Sequence, residues 1–152
     1  MRNALLKSGL IASLVIFSLP CLGFSSLKPA TEMKKGEQTS EEPGLVILWT
    51  SADREVALKM VFMYTLNAKR NGWWQDVTLI VWGPSAKLVS EDKEIQESLI
   101  SMKNQGIVLE ACKACADMYG VSGDLSGLGV DVKWMGLPLT DYIKGNYKVL
   151  TF

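Results

Sequence analysis

Apolar residues along this chain come in short runs separated by longer amphipathic stretches. Residues 45–49 read LVILW, a continuous run of strand formers, the pattern of a strand covered on both faces. Similar runs predict strands over 76–82, 107–109, 131–135 and 147–152. Between the first two, Val56, Met60, Val61, Tyr64 and Ala68 recur at three- and four-residue steps, which predicts a helix with those residues inward, ended by Asn71-Gly72. Thr50 and Asp53 have capping-box spacing ahead of it, with Asp53 in place of the usual Glu. Gly83-Pro84 ends the second strand, and a loop is expected through Val89. Ser90 is the expected N-cap of the next helix, with Glu91, Asp92 and Glu94 in the first turn, where the helix dipole favours acids. Ile95, Leu99 and Met102 face inward, and Gly106 supplies the stop. A short helix or turn begins near Pro138. Strands alternating with helices imply an α/β fold, with a mostly parallel sheet of about five strands and helices on both faces. There is no internal repeat.

The first 44 residues lack this alternation. Residues 1–25 read as a secretory signal peptide: Arg2 and Lys7 form a charged start, and GLIASLVIFSL over 9–19 is an apolar run short of the roughly 20 residues that span a membrane. Cleavage after Gly23 or Ser25 is the first expectation. An uncleaved anchor ranks second, and lipidation at Cys21 third, because Leu19 and Pro20 fit a lipidation signal poorly. Any membrane contact therefore runs through this leader. Residues 26–44 are polar, carry Pro29, Pro43, Gly36 and Gly44, and show no apolar period. Such a segment buries too little surface to offset its ordering entropy, so it reads as a flexible linker. The expected localisation is exported, periplasmic or secreted.

At 152 residues, with 48% apolar and 21% charged, the chain suffices for one packed domain after such a leader. Formal net charge is +0, and loss of Arg2 and Lys7 leaves the body mildly acidic. That argues against a nucleic-acid partner, which calls for a basic face. No histidine is present. Ser–His and Cys–His catalytic arrangements and HExxH zinc sites are thereby excluded. Two cysteines without histidine cannot complete a zinc shell within one chain, and no cofactor motif is found.

The stretch that carries chemistry is GIVLEACKACADMYGV, over 106–121. It opens as a strand and closes as a short helix ending at Gly120, with Cys112 and Cys115 spaced C-x-x-C at the join. A thiol at a helix start faces unpaired amides and the positive end of the dipole, and both favour thiolate. Lys113 adds a positive charge. This predicts Cys112 as an exposed, ionised nucleophile at the carboxyl edge of the sheet. A free Cys is also among the most often buried residue types, behaving as a small hydrophobe, and that reading stands beside the reactive one. The following SGDLSGLG lacks the spacing of a phosphate loop and is expected to be a flexible connection bordering the Cys. The Trp73-Trp74 pair is expected to cover a sheet edge or a subunit contact.

The strand LVILWTS, the Cys stretch, the SGLG turn at 126–129 and the closing YKVLTF resemble, in order and spacing, the DsrE/DsrF-like family over residues 45–152. The resemblance implies a five-stranded α/β/α sandwich that assembles as a homo-oligomer, a trimer or hexamer. It also implies sulfur-relay or sulfurtransferase chemistry in which Cys112 carries sulfur as a persulfide, exchanging it with donor and acceptor proteins or small sulfur compounds. An exported setting departs from the cytoplasmic relay members, and Cys115 is an added thiol, either spectator, resolving thiol or disulfide partner. Two other functions remain open: a C-x-x-C disulfide oxidoreductase, which lacks the aromatic-Cys-Gly-Pro-Cys context, and a non-catalytic oligomeric binding or scaffold domain with structural cysteines.

Overall fold

The computed structural model describes residues 42–152. The leader, Cys21 and the linker up to residue 41 lie outside the described residues. Five strands, β1 (Gly44–Trp49), β2 (Val77–Val81), β3 (Val108–Cys112), β4 (Asp131–Lys133) and β5 (Tyr147–Thr151), form one sheet in the order β4-β3-β2-β1-β5. Every neighbouring pair is parallel. An all-parallel sheet needs cover on both faces, and this one has it. Leu45, Ile47 and Trp49 of β1, Val77, Leu79 and Val81 of β2, and Leu109 and Ala111 of β3 enter the larger core. Val46, Ile80 and Cys112 enter a smaller one on the opposite face, with Met135.

The larger core is closed by seven helical pieces. A continuous helical segment follows β1: α1 (Arg54–Val56), a π-helical run (Ala57–Phe62) and α2 (Met63–Arg70). Its buried residues are Ala57, Val61, Phe62, Thr65 and Ala68. An unbroken α period instead predicts Val56, Met60, Val61, Tyr64 and Ala68 inward; Met60 is 48% exposed. Through the π-helical run the bonds reach one residue further. Val61 and Ala68 are buried as the α pattern predicts, Val56 and Tyr64 pack against the core from partly buried positions, and Ala57, Phe62 and Thr65 join the buried stripe as it widens, leaving Met60 turned outward. The N-cap is Asp53, whose Oδ1 accepts from the amides of Glu55 (2.8 Å) and Val56 (3.1 Å). Thr50 does not cap: its hydroxyl donates to the Phe152 carbonyl at 2.6 Å and ties β1 to the end of β5.

A helix, α3 (Pro84–Glu91), stands where a loop was expected. Gly83, at φ 68°, makes the left-handed turn out of β2, and Pro84 takes the first helical position, where its missing N–H costs nothing. Ser85 is buried there; its Oγ accepts from the Trp82 amide (3.0 Å) and donates to the Trp49 carbonyl (2.7 Å), joining the carboxyl ends of β1 and β2. Asp92, not Ser90, caps α4 (Lys93–Asn104) through the Ile95 amide, while Ser90 donates to the Lys87 carbonyl. Ile95, Leu99 and Met102 of α4 are buried as the pattern predicts. After β3 come α5 (Lys113–Tyr119) and α6 (Ser122–Gly127). The SGDLSGLG stretch is thus helical rather than a flexible connection, held by Leu125 in the larger core. Trp74 packs against that core, and Trp73 stays exposed with its ring tilted against Tyr64.

The smaller face is covered by α7 (Gly136–Lys144), through Leu139 and Tyr142, and by the start of α5. Among the described residues, no helix is long and apolar enough to cross a membrane.

The helix-face assignment is tested by paired truncation on α4. Leu99→Ala, at a fully buried site, is expected to cost about 2–5 kcal/mol. Ile100→Ala, on the exposed side, is expected to change stability by no more than about 0.5 kcal/mol. Denaturant midpoints read both, and equal losses would contradict the packing.

Candidate functional site

Cys112 is the last residue of β3 and the N-cap of α5. Its backbone is extended, at φ −69° and ψ 107°, and the chain turns helical at Lys113. Its Sγ accepts a hydrogen bond of 3.4 Å from the Cys115 amide. The same turn brings the Cys115 thiol 2.8 Å from Cys112 Sγ, and both cysteines are free. α5 closes at Gly120 in the left-handed region, with the Val121 amide bonded back to the Ala116 carbonyl at 2.9 Å. C-x-x-C spacing therefore places two thiols in contact at the carboxyl end of a strand.

Exposure departs from the sequence expectation. Cys112 is 5% exposed, enclosed with Val46, Ile80 and Met135. The reason is that β3 does not stop at Leu109 but continues to Cys112, so strand alternation turns the thiol onto the smaller sheet face. Burial pushes the Cys112 thiol up from its ordinary value, the Cys115 thiol adds to this, and the amides of Cys115 and Ala114 act in the opposite direction without prevailing. At neutral pH Cys112 rests as a neutral thiol, not as the exposed thiolate that a helix start alone predicts. Cys115 is partly exposed. Lys113 does not serve the sulfur either: its Nζ pairs with Asp117 Oδ2 one turn along at 2.6 Å and lies 5.7 Å from the Trp134 ring centre.

The sequence reading missed a polar group on the same face. Glu110, two residues before Cys112, is 4% exposed. Its Oε1 accepts from Lys133 Nζ at 2.6 Å and from the Tyr142 hydroxyl at 3.2 Å. Its Oε2 is buried without a hydrogen-bond partner. Lys133 stands directly across from Cys112 in the β3–β4 register, as Asp131 does from Glu110, and Lys133 also pairs with Asp131 at 2.8 Å. Burial works to lower the Lys133 pKa, but its bonds to Asp131 and Glu110 outweigh it and hold the ammonium above its ordinary value. Burial first, then the Glu110 charge, pushes the Tyr142 phenol up as well. One signal was available: an acid inside VLEAC interrupts an otherwise apolar strand, and a strand ended at Leu109 hid it. Among the described residues, no group of three or more His, Cys, Asp and Glu side chains is placed to hold a metal ion.

The DsrE/DsrF-like family matches residues 45–152, the whole sheet with its helices. The chain belongs to the DsrE/DsrF-like family. A solved structure from Bacteroides thetaiotaomicron, the conserved protein of unknown function BT1422, is 40% identical to this DsrE/DsrF-like chain; the match covers 72% of this chain and 95% of that one, with a TM-score of 0.70. The ychN protein from E. coli is 21% identical over 72% of this chain and 99% of its own, with a TM-score of 0.57, a likeness of fold. No curated protein matches.

Membership of the DsrE/DsrF-like family supports a sulfur-relay or redox-related role in general terms. The site has the parts for thiol chemistry: two sulfurs in contact, a half-buried lysine opposite Cys112 in the strand register, and a buried carboxylate with one oxygen lacking a protein partner. For the reduced native protein, iodoacetamide is expected to label Cys115 ahead of Cys112 at neutral pH. The gap should narrow as pH rises above the ordinary thiol range, because the Cys112 thiolate forms late. Trypsin cuts after Lys113 and leaves the two cysteines on separate peptides, so mass spectrometry reads each one. Faster labelling of Cys112 at neutral pH would contradict the burial argument.

Proposed function

We propose that this protein is an exported sulfur carrier or thiol-redox protein whose working group is Cys112. Its thiol takes a sulfane sulfur to form Cys–S–SH and passes it on by thiol exchange. The observation that carries this reading is the Cys112–Cys115 sulfur contact at the end of β3, in a chain of this family. A neutral resting thiol makes deprotonation part of the cycle rather than a standing condition. Cys115 is the resolving thiol: attack on the inner sulfur of the Cys112 persulfide releases sulfide and leaves a Cys112–Cys115 disulfide. The donors and acceptors are proteins or small sulfur compounds.

Export is supported by Arg2, Lys7 and the apolar run over 9–19. Assembly as a homo-oligomer is supported by large apolar side chains left exposed at Trp134, Leu137 and Ile143. A second reading, disulfide oxidoreductase, is favoured by the same 2.8 Å sulfur separation, which sets the two thiols within reach of each other.

Incubation with thiosulfate or inorganic polysulfide, followed by peptide mass spectrometry, tests the proposal. The Cys112 peptide is expected to gain about 32 Da, the mass of one sulfur. Cys112→Ser abolishes the gain, and Cys115→Ser prolongs it by removing the resolving thiol. No gain under conditions that label a known carrier, with insulin reduction that needs both cysteines, would favour the oxidoreductase. Neither activity, with both thiols inert until unfolding, leaves a non-catalytic binding or scaffold domain.

A further inference from the structure

The buried carboxylate on the face of Cys112 links β3 to β4 and α7 through one oxygen, and its second oxygen takes no part in that link. Among the described residues, Glu110 is the one buried Asp, Glu, Lys or Arg side chain. Lys133 and Tyr142 satisfy Oε1 alone. A buried Oε2 with no protein partner carries a desolvation cost on the order of 1–3 kcal/mol, which an apolar residue on this face would avoid. Glu110 and Cys112 rise from the same face of the same strand with Cα atoms about 6.6 Å apart. A carboxylate and a thiol bridge such a span directly or through one water. The chain offers no histidine as base. The groups around Glu110 are Lys133 and Asp131 from β4 and Tyr142 from α7, with Cys112 two residues on along its own strand. On the β2 side stand Ile80, its register partner, and the buried Thr78, which contacts Tyr142.

We infer that Glu110 is the proton acceptor for Cys112 during sulfur transfer, with Lys133 holding the negative charge that the step creates. This rests on the sulfur-carrier reading above. Cys112 Sγ bonds to the outer sulfur of a persulfide or polysulfide donor, R–S–SH, as that sulfur's bond to the donor breaks. The bonding electron pair leaves with the donor thiolate. The Cys112 proton passes to Glu110 Oε2 and then to the donor thiolate, giving Cys112–S–SH and R–SH. The transferred sulfur keeps its oxidation state, so no oxidant is consumed. Lys133, opposite Cys112 in the register, supplies the positive charge on that face once the persulfide ionises. The raised Cys112 pKa fits a thiol that needs an assigned base.

The test is the rate of sulfur gain from inorganic polysulfide on the Cys112 peptide of the full-length chain, followed across pH. Glu110→Gln keeps the side-chain shape and an oxygen for Lys133 and Tyr142. It is expected to slow the gain at neutral pH by at least about tenfold and to converge with wild type at alkaline pH, where solvent ionises the thiol. Glu110→Asp, which restores a carboxylate, is expected to recover part of the neutral-pH rate. Identical pH profiles for wild type and Glu110→Gln would overturn the inference while leaving the carrier reading intact. A wild-type Cys112 that takes no sulfur would overturn both. Should Glu110→Gln fail to fold, the wild-type profile of Cys112 alkylation by iodoacetamide decides. A base-assisted thiol reacts with a flat arm below its own pKa; a rate climbing about tenfold per pH unit throughout that range would reject the assignment.

Discussion

A strand offers each side chain one of two faces, and β3 divides its residues on that rule. Leu109 and Ala111 enter the larger core, while Glu110 and Cys112 enter the smaller one. A slip of one residue would exchange the sets, pressing a carboxylate into the larger core and withdrawing both its cation and the neighbouring thiol. The rest of the site follows from this register. β4 lies alongside with Asp131 opposite Glu110 and Lys133 opposite Cys112. α7 then lies over the face and brings the Tyr142 hydroxyl to the same carboxylate oxygen as Lys133.

The state of Cys112 is a contest between two environments. The helix start offers amides, and Cys115 N donates to the sulfur at 3.4 Å. Enclosure among Val46, Ile80 and Met135 disfavours charge more strongly, so the neutral thiol prevails. Each unit of such a shift is worth about 1.4 kcal/mol between the two protonation states. Cys112 is therefore held as a buried neutral thiol rather than a standing thiolate. A buried ion pair such as Glu110–Lys133 is weak evidence for stability, because desolvation offsets attraction. Its position beside the thiols ties it more readily to their chemistry.

The fold and the family are shared with solved relatives, but the 40%-identical structure is itself described as a conserved protein of unknown function. Likeness of fold carries the sheet order and the place of the site; it does not carry an activity. In this chain the chemistry of that place lies in side chains: the second thiol one turn beyond Cys112, and the acid–cation pair on the face that Cys112 shares.

The strands were legible from the chain because continuous apolar runs, bounded by polar or glycine positions, have few other ways to be buried. The inward face of α4 was legible because Ile95, Leu99 and Met102 keep the α period. The helix caps were not, since tertiary bonds claimed the hydroxyls: Thr50 turned to the Phe152 carbonyl, leaving Asp53 to cap. The helices over 84–91 and 122–127 were hidden by Pro, Ser and Gly, whose local preferences favour turns until packing of Val89 and Leu125 outweighs them. Local sequence determined that two thiols meet where a strand becomes a helix, because C-x-x-C spacing and a glycine stop are short-range facts. Only the tertiary structure decided that Cys112 is enclosed and that Glu110, Lys133 and Tyr142 converge beside it, because burial and charge pairing are set by residues far apart in the chain.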